Sequence, residues 1–584
     1  FQERGLEKIF GDLSGFFKAA QLLQCDALHI QIDSMRANPK LSGYCYTQLS
    51  DGGHEFCAGV LDRWRRPKPA LEHLAKVQQA MRPLISLDKN NLHLREQTNL
   101  TALLANEENL AGMADLSLQV VGPTNQVLWK KKRSLKIPRH GGELWHGTIS
   151  ASGSTGTHRF VVRLMQGMTV LAEAAEEFHV YEPAPFAETS VHVFDPHQQW
   201  SEKIGAHAKL DNILAPTHII PPLANTIRAY PDNDLMQILA QVKGGAVAIF
   251  FSPPEDWNEL TPTMDPDITA TPKDAVGGFL PVCHYVKLHP VFDKLPAPGL
   301  MRQPYANIVA DKTFLEPGDE DLCGSFDTTP VAAGNYMVGE TAWWGNDLLV
   351  QRYGEGRIVF THMHILEHLG KDPVAERLFI NLLNHFGRRS MPPATTLPPN
   401  QKAVEWLRTQ RTAHVRRWMV IGEFPNWDKC SGFDTVYPPE KSIDFDAVYP
   451  GWYRAAWWRH WYSRSQSEHV VDLQAALEPV YQWYPKFDRS VAYAYAEISA
   501  ERRLETEIRV GFQDATRVWI NNANVFETRQ QVPHDQFEST TVPVTLRQGR
   551  NTILVKCAKI PGPFKFSITF EDTELVMNHV NWWR

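Results

Sequence analysis

Long hydrophobic runs are missing from this sequence, and so is any large excess of charge of one sign. No stretch approaches the ~20 apolar residues that a membrane-spanning helix needs. The most apolar short run, Ala246 to Phe251, has the length of a buried strand. The net charge is only −7 over 584 residues, which argues against a nucleic-acid binder with its basic stripe. One local run, Lys130-Lys131-Lys132-Arg133, lies beside alternating apolar residues and is read as a solvated hairpin face. Cysteine is scarce as well. Seven are scattered along the chain without a C-x-x-C pair, a pattern of neither a zinc module nor a disulfide scaffold. A reducing compartment such as the cytoplasm fits this usage best.

What is present is ordinary globular composition, with 43% hydrophobic and 21% charged residues. The length is too great for one core, so several domains are expected. Leu6 to Asn38 carries apolar residues at helical spacing until Asn38-Pro39 breaks it. Gly43 to Leu49 reads as a strand, Ser50 to Gly53 as the loop leaving it, and Ala70 to about Met81 as a further helix. From residue 88 to 185 the period becomes two, with Leu116, Leu118 and Val120 in one run and Phe160, Val162 and Leu164 in another. That spacing predicts an antiparallel sandwich of the immunoglobulin-like kind. Residues 188–390 alternate short apolar strands with amphipathic helices at Asp234 to Lys243 and Pro373 to Phe386, the order of a doubly wound α/β domain. A Pro-rich linker and short helix occupy 391–411, and 412–584 read as a jelly-roll-like β-sandwich. The fold class is thus multidomain, α/β plus all-β.

The segments "GLEKIFGDLSGFF", "IQIDSMRANPKLSGYCYTQLSD" and "GVLDRWRRPKPALEHL" resemble the end of the catalytic (β/α)8 barrel of glycoside hydrolase family 2. "HPVFDKLP" and "GEGRIVFTHMHILEHLGKDPVAERLFINLLNHF" resemble the glutamine-amidotransferase-like domains found in several glycosidases. "VIGEFPN", "VWINNANVF" and "LRQGRNTILVKC" resemble the sandwiches appended to such enzymes. The resemblance implies that residues 1–87 are the last part of a barrel and that the chain begins partway through a fold. It implies a retaining enzyme for β-linked glycosides, whose two catalytic glutamates lie upstream of Phe1, on a segment of the same or a separate chain. No catalytic residue, metal ligand or cofactor is assigned within this chain. A carbohydrate substrate and a homo-oligomer are the partners the resemblance implies, and the alternative is a non-catalytic carbohydrate-binding or scaffolding protein derived from such an enzyme.

Active sites of these barrels sit at the C-terminal ends of the strands. Tyr46, Thr47, Gln48, Asp51, His54 and Glu55 are therefore the candidate substrate-binding residues, with Tyr46 stacking and Gln48 and Asp51 reading hydroxyls. The competing reading for Asp51 is a turn cap beside Gly52-Gly53. In the α/β region Ser252 lacks the small flanking residues of a nucleophile elbow, which points to a degenerate, structural or subunit-contact domain rather than a second enzyme. His362, His364 and His368 carry metal-ligand side chains, but no Asp or Cys stands at supporting spacing, and they are read as hydrogen-bonded imidazoles of a strand-to-helix loop. Asp319-Glu320-Asp321 is read as solvated. The tryptophans Trp452, Trp457, Trp458, Trp461, Trp483 and Trp519 are assigned to cores and interfaces, with Trp457 and Trp458 on opposite sides of a strand.

Overall fold

The computed structural model describes residues 1–2, 5–46, 48–52, 58–150, 153–195, 200–222, 234–251, 270–275, 282–327, 343–388, 413–415, 417–427, 430–445, 447–452, 455–462, 470–477, 489–500, 502–530, 532–533, 536–559, 564–571 and 580–583. It is mostly β, with several separate sheets.

The N-terminal piece is helical. Helix α1 (Glu7–Phe10) leads into α2 (Leu13–Ala37), whose N-terminus is capped by the Asp12 carboxylate accepting the Gly15 N–H at 2.7 Å. Helix α3 (Pro69–Val77) opens with proline at its first position, where no N–H is needed. It ends at Val77, short of the expected Met81. Leu28 and Ile32 of α2 pack on Leu74 and Val77 of α3. The strand expected at Gly43 to Leu49 is not formed: residues 39–46 have no ladder partner. A parallel barrel strand is held by neighbours on both sides, and this piece supplies none.

Met81 already belongs to a sheet, earlier than the expected start at residue 88. Strands β1 (Met81–Leu87), β2 (Asn91–His93), β3 (Gln97–Asn106), β4 (Met113–Val121), β5 (Val127–Lys136), β6 (Gly142–Ser150), β7 (Gly156–Gln166) and β8 (Thr169–Tyr181) form two sheets, β1-β3-β6 and β2-β8-β7-β4-β5. Their inner faces share one core. The alternating residues of the two apolar runs face one another directly, Leu116 opposite Leu164, Leu118 opposite Val162 and Val120 opposite Phe160. The basic run lies on β5, an edge strand, and is exposed, a charge pattern that blocks edge-to-edge pairing.

The next region holds β9 (His192–Val193), α4 (Ser201–Gly205), β10 (Thr217–Ile220), α5 (Asp234–Lys243) and β11 (Val247–Phe250). There follow β12 (Pro272–Asp274), β13 (Val282–Val286), β14 (Gly299–Leu300), β15 (Lys312–Phe314), β16 (Glu320–Asp321), β17 (Cys323–Asp327), β18 (Trp344–Asn346), β19 (Leu348–Tyr353), β20 (Gly356–Thr361) and α6 (Pro373–Phe386). One sheet runs β16-β19-β20-β11-β10-β9, with β9, β10, β11 and β20 parallel. A second, antiparallel sheet, β12-β15-β18-β17-β13-β14, was not foreseen. It receives the N-terminal helices: Phe16 packs on Phe326, ring centroids 5.6 Å apart, within a cluster that includes Leu6, Tyr285 and Leu300.

Beside a two-stranded ribbon of 448–450 with 455–457, the described residues of the C-terminal region pair into two large antiparallel sheets. Strands 413–414, 504–512, 538–546 and 565–570 form one, joined by 471–472; the other is built on 417–425, 459–462, 490–500, 515–520, 523–528, 549–558 and 580–583. The strand Ser490–Ala500 is buried on both faces. Ala492, Ala494, Ala496 and Ile498 enter the core between the sheets, while Val491, Tyr493 and Tyr495 enter a second core under residues 430–458, the period of two expected of a strand.

Candidate functional site

The rim loop holds itself together. Tyr46 Oη donates to the Ala58 carbonyl, and Gln24 of α2 donates to the Ala58 and Gly59 carbonyls at 3.1 and 3.3 Å. Gln48 Nε2 donates to the Ser50 carbonyl at 3.2 Å. Asp51 is buried: Oδ1 accepts the Gly59 N–H at 2.8 Å and Oδ2 meets Lys68 Nζ at 2.6 Å, both side chains almost fully enclosed. A Cβ on Gly59 would stand 2.4 Å from the Asp51 backbone nitrogen, so only glycine allows this approach. Tyr46 and Asp51 thus meet at the same segment, 58–59, and both oxygens of Asp51 are engaged within the loop. This geometry gives Asp51 a part in holding the loop together, at Gly59 and Lys68. Thr47, His54 and Glu55 lie outside the described residues, as do Ser252 and Trp483.

A cavity of about 720 Å³ lies where the helix pair, the first sandwich and residues 296–305 meet. Its charged lining is stitched across the three parts. Arg302 forms a two-pronged pair with Asp26, at 2.7 and 2.6 Å. His29 of α2 lies 3.3 Å from Asp33 and 3.1 Å from Glu176 of β8. These two carboxylates, Asp33 first, push the His29 imidazole up to about 9. Burial alone would raise Asp33, but hydrogen bonds from His29 and Arg82 hold it below the usual carboxylate range. Opposite them, burial pushes His179 down to about 4 and also lowers His73. His73 Nε2 and Gln303 Oε1 are buried in this wall without a hydrogen-bond partner among the described residues. Such a wall suits a small polar guest or ordered water. Sequence reading missed it because its residues come from segments far apart, with no motif linking them.

In the α/β region His362 and His364 follow β20, at the carboxyl edge of the parallel strands where open α/β sheets bind ligands. They face Asp311, at 3.6 and 4.0 Å. Burial works against ionisation of Asp311, yet the neighbouring imidazoles, His362 first, bring it down to about 2. His368 does not join them in a three-ligand group among the described residues. The acidic run Asp319-Glu320-Asp321 is paired rather than merely solvated: Asp319 accepts the Arg352 N–H, Glu320 meets Arg357 at 2.6 Å and Asp321 meets Lys287. Trp458 is buried and Trp457 exposed beneath the Arg459 guanidinium, on opposite sides as expected. Trp427 is 64% exposed, and its ring centroid lies 3.9 Å from that of Trp452.

No protein-family model matches the chain, and no curated protein does. Among solved structures, a glycosyl hydrolase family 2 member from Bacteroides cellulosilyticus is similar over 29% of this chain and 26% of its own, at 12% identity and a TM-score of 0.16. A β-D-mannosidase from Dictyoglomus thermophilum matches over 29% and 22%, at 17% identity and a TM-score of 0.22. A family 35 carbohydrate-binding module from Clostridium thermocellum matches over 18% and 87%, at 14% identity and a TM-score of 0.13. The chain thus spans about a quarter of the length of the first glycosyl hydrolases it matches. Likenesses this slight carry no argument about what the chain does.

Proposed function

We propose that this chain is the C-terminal part of a retaining glycoside hydrolase acting on β-linked glycosides. The observation that carries the reading is the surface of the N-terminal piece. Phe17, Ile30, Leu49 and Trp64 are 48, 65, 65 and 68% exposed, around helices whose sequence resembles the end of a family-2 barrel. Large apolar side chains left at a surface are area that a partner can cover, and the remaining strands and helices of a (β/α)8 barrel are the partner proposed here. Those strands would pair with residues 43–49. The barrel would bring two glutamates about 5 Å apart, one as nucleophile and one as acid/base, above the rim formed by Tyr46, Thr47, Gln48, Asp51, His54 and Glu55.

Intact mass and peptide mapping of the protein isolated from its natural source tests this. Peptides from an upstream barrel segment, covalent or co-purifying, together with turnover of a chromogenic β-glycoside, are the expected result. A lone species of about the chain's 66.4 kDa that turns over no glycoside would overturn it.

A second reading, a carbohydrate-binding protein without catalysis, is favoured by the exposed Trp427 beside Trp452. Aromatic faces stack on the C–H faces of sugar rings. Saturable binding of soluble oligosaccharides that Trp427→Ala abolishes, in a protein without turnover, would select this reading instead.

A further inference from the structure

Glu320 of β16 and two histidines that flank it at a distance in sequence, His289 before it and His385 after it, come together at one point. Glu320 of β16 directs Oε2 toward two imidazoles, His289 Nε2 at 3.7 Å and His385 Nε2 at 3.6 Å. All three ligand atoms lie within 4.8 Å of one another. We propose that His289, Glu320 and His385 form a binding site for a zinc-like divalent cation, which clips the edge strand β16 to the last turn of α6 and to the turn at His289.

The spacing is the first argument. Both separations exceed the length of a hydrogen bond, so the carboxylate oxygen is bonded to neither ring. A tetrahedral zinc ion with bonds of about 2.0–2.2 Å holds its ligand atoms roughly 3.3–3.5 Å apart, so a shift of a few tenths of an ångström brings the carboxylate oxygen to that spacing from each imidazole, and the two ring nitrogens, within 4.8 Å of each other, close on the same ion.

The donor set is the second argument. Two imidazoles and one carboxylate are ligands for zinc and its neighbours in the first transition row, and they leave a position open to water. The third argument is how the ligands are held. Arg357 grips the other oxygen of Glu320 at 2.6 Å, leaving Oε2 aimed at the histidines, the kind of outer contact that orients metal ligands. His385 sits in the last turn of α6, where helix carbonyls favour a cation. The three side chains are 21–28% exposed, so an ion can enter from solvent. Binding has one local cost. His289 Nδ1 accepts the Val291 N–H at 3.3 Å, and coordination through Nε2 moves the proton to Nδ1 and gives up that long bond.

The test is calorimetric titration of Zn2+ into the full chain, prepared without a histidine tag, and of Co2+ followed by its visible d–d absorption. The expected result is one equivalent bound, with an intensified cobalt band. His289→Ala and His385→Ala each remove both signals, and Arg357→Met weakens binding about tenfold. Circular dichroism checks that the variants are folded. Should either variant misfold, paramagnetic shifts of the His289 and His385 ring resonances by Co2+ in the unaltered chain decide the matter. Absence of saturable binding, or binding unchanged in the folded variants, or Co2+ shifts on other histidines, overturns the proposal.

Discussion

The N-terminal helices and the C-terminal sandwich make opposite use of similar materials. Both are rich in large apolar residues. In the sandwich two sheets close on each other, and Trp418, Phe566 and Ile568 are almost entirely withdrawn from water. In the helical piece Ile30, Leu49 and Trp64 stay exposed, because three helices, one of them a single turn, and a loop have too few faces to cover them. The difference teaches that closure, rather than apolar content, decides whether a region supplies its own core. The helical piece is held instead from outside, by Phe16 on the antiparallel sheet and by the Arg302–Asp26 and His29–Glu176 contacts.

The comparison breaks most visibly at the cores. Trp418→Ala in the sandwich should cost about 3–5 kcal/mol, because the surrounding sheets cannot collapse into the space. Leu28→Ala between α2 and α3 should cost nearer 2 kcal/mol, where the neighbours can relax. Hydrogen exchange read region by region checks both, since a chain with several cores need not unfold in one step. Equal costs would mean that the helical piece is as tightly closed as the sandwich.

A somewhat smaller effect is expected at the rim loop. Asp51→Asn removes the charge opposite the buried Lys68, which should loosen the contacts around Asp51, Gly59 and Lys68 by about 2–4 kcal/mol and open this region to limited proteolysis. Asp51→Asn combined with Lys68→Met should recover much of that loss. If Asp51 instead serves a sugar, the single variant keeps the loop protected and loses only ligand affinity.

The smallest effect is a pH profile. His29 is raised to about 9 from an ordinary 6.5, so its charged contacts stabilise the junction fully below about pH 6.5 and fade as pH rises through 9. His179 is lowered to about 4; the unfolded chain binds its proton first, so stability falls as pH drops from about 6.5 through 4. His29→Gln should flatten the alkaline limb and His179→Gln the acidic one, each by roughly 1–2 kcal/mol after allowance for solvent screening. Thermal unfolding across pH 4–10 checks this, and a profile unchanged in both variants would show that the junction does not sense protons.

Local period and end chemistry settled much of the fold in advance. Helix α6 runs from Pro373 to Phe386 as its spacing and the Asp372 cap require, and Leu116, Leu118 and Val120 of β4, like Phe160, Val162 and Leu164 of β7, are buried as their period demands. These features depend on neighbours a few residues away, so the sequence by itself determined them. The strand at Gly43 to Leu49 failed for the complementary reason, since a strand is completed by partners its own residues do not contain. Only the tertiary structure decided where charges find partners. It set Asp51 on Lys68, joined Glu320 and Asp321 to cations and Asp319 to a backbone N–H, and brought His289 and His385 around one carboxylate. Such meetings depend on how sheets and helices close over long stretches of chain, and no spacing along the sequence records that closure.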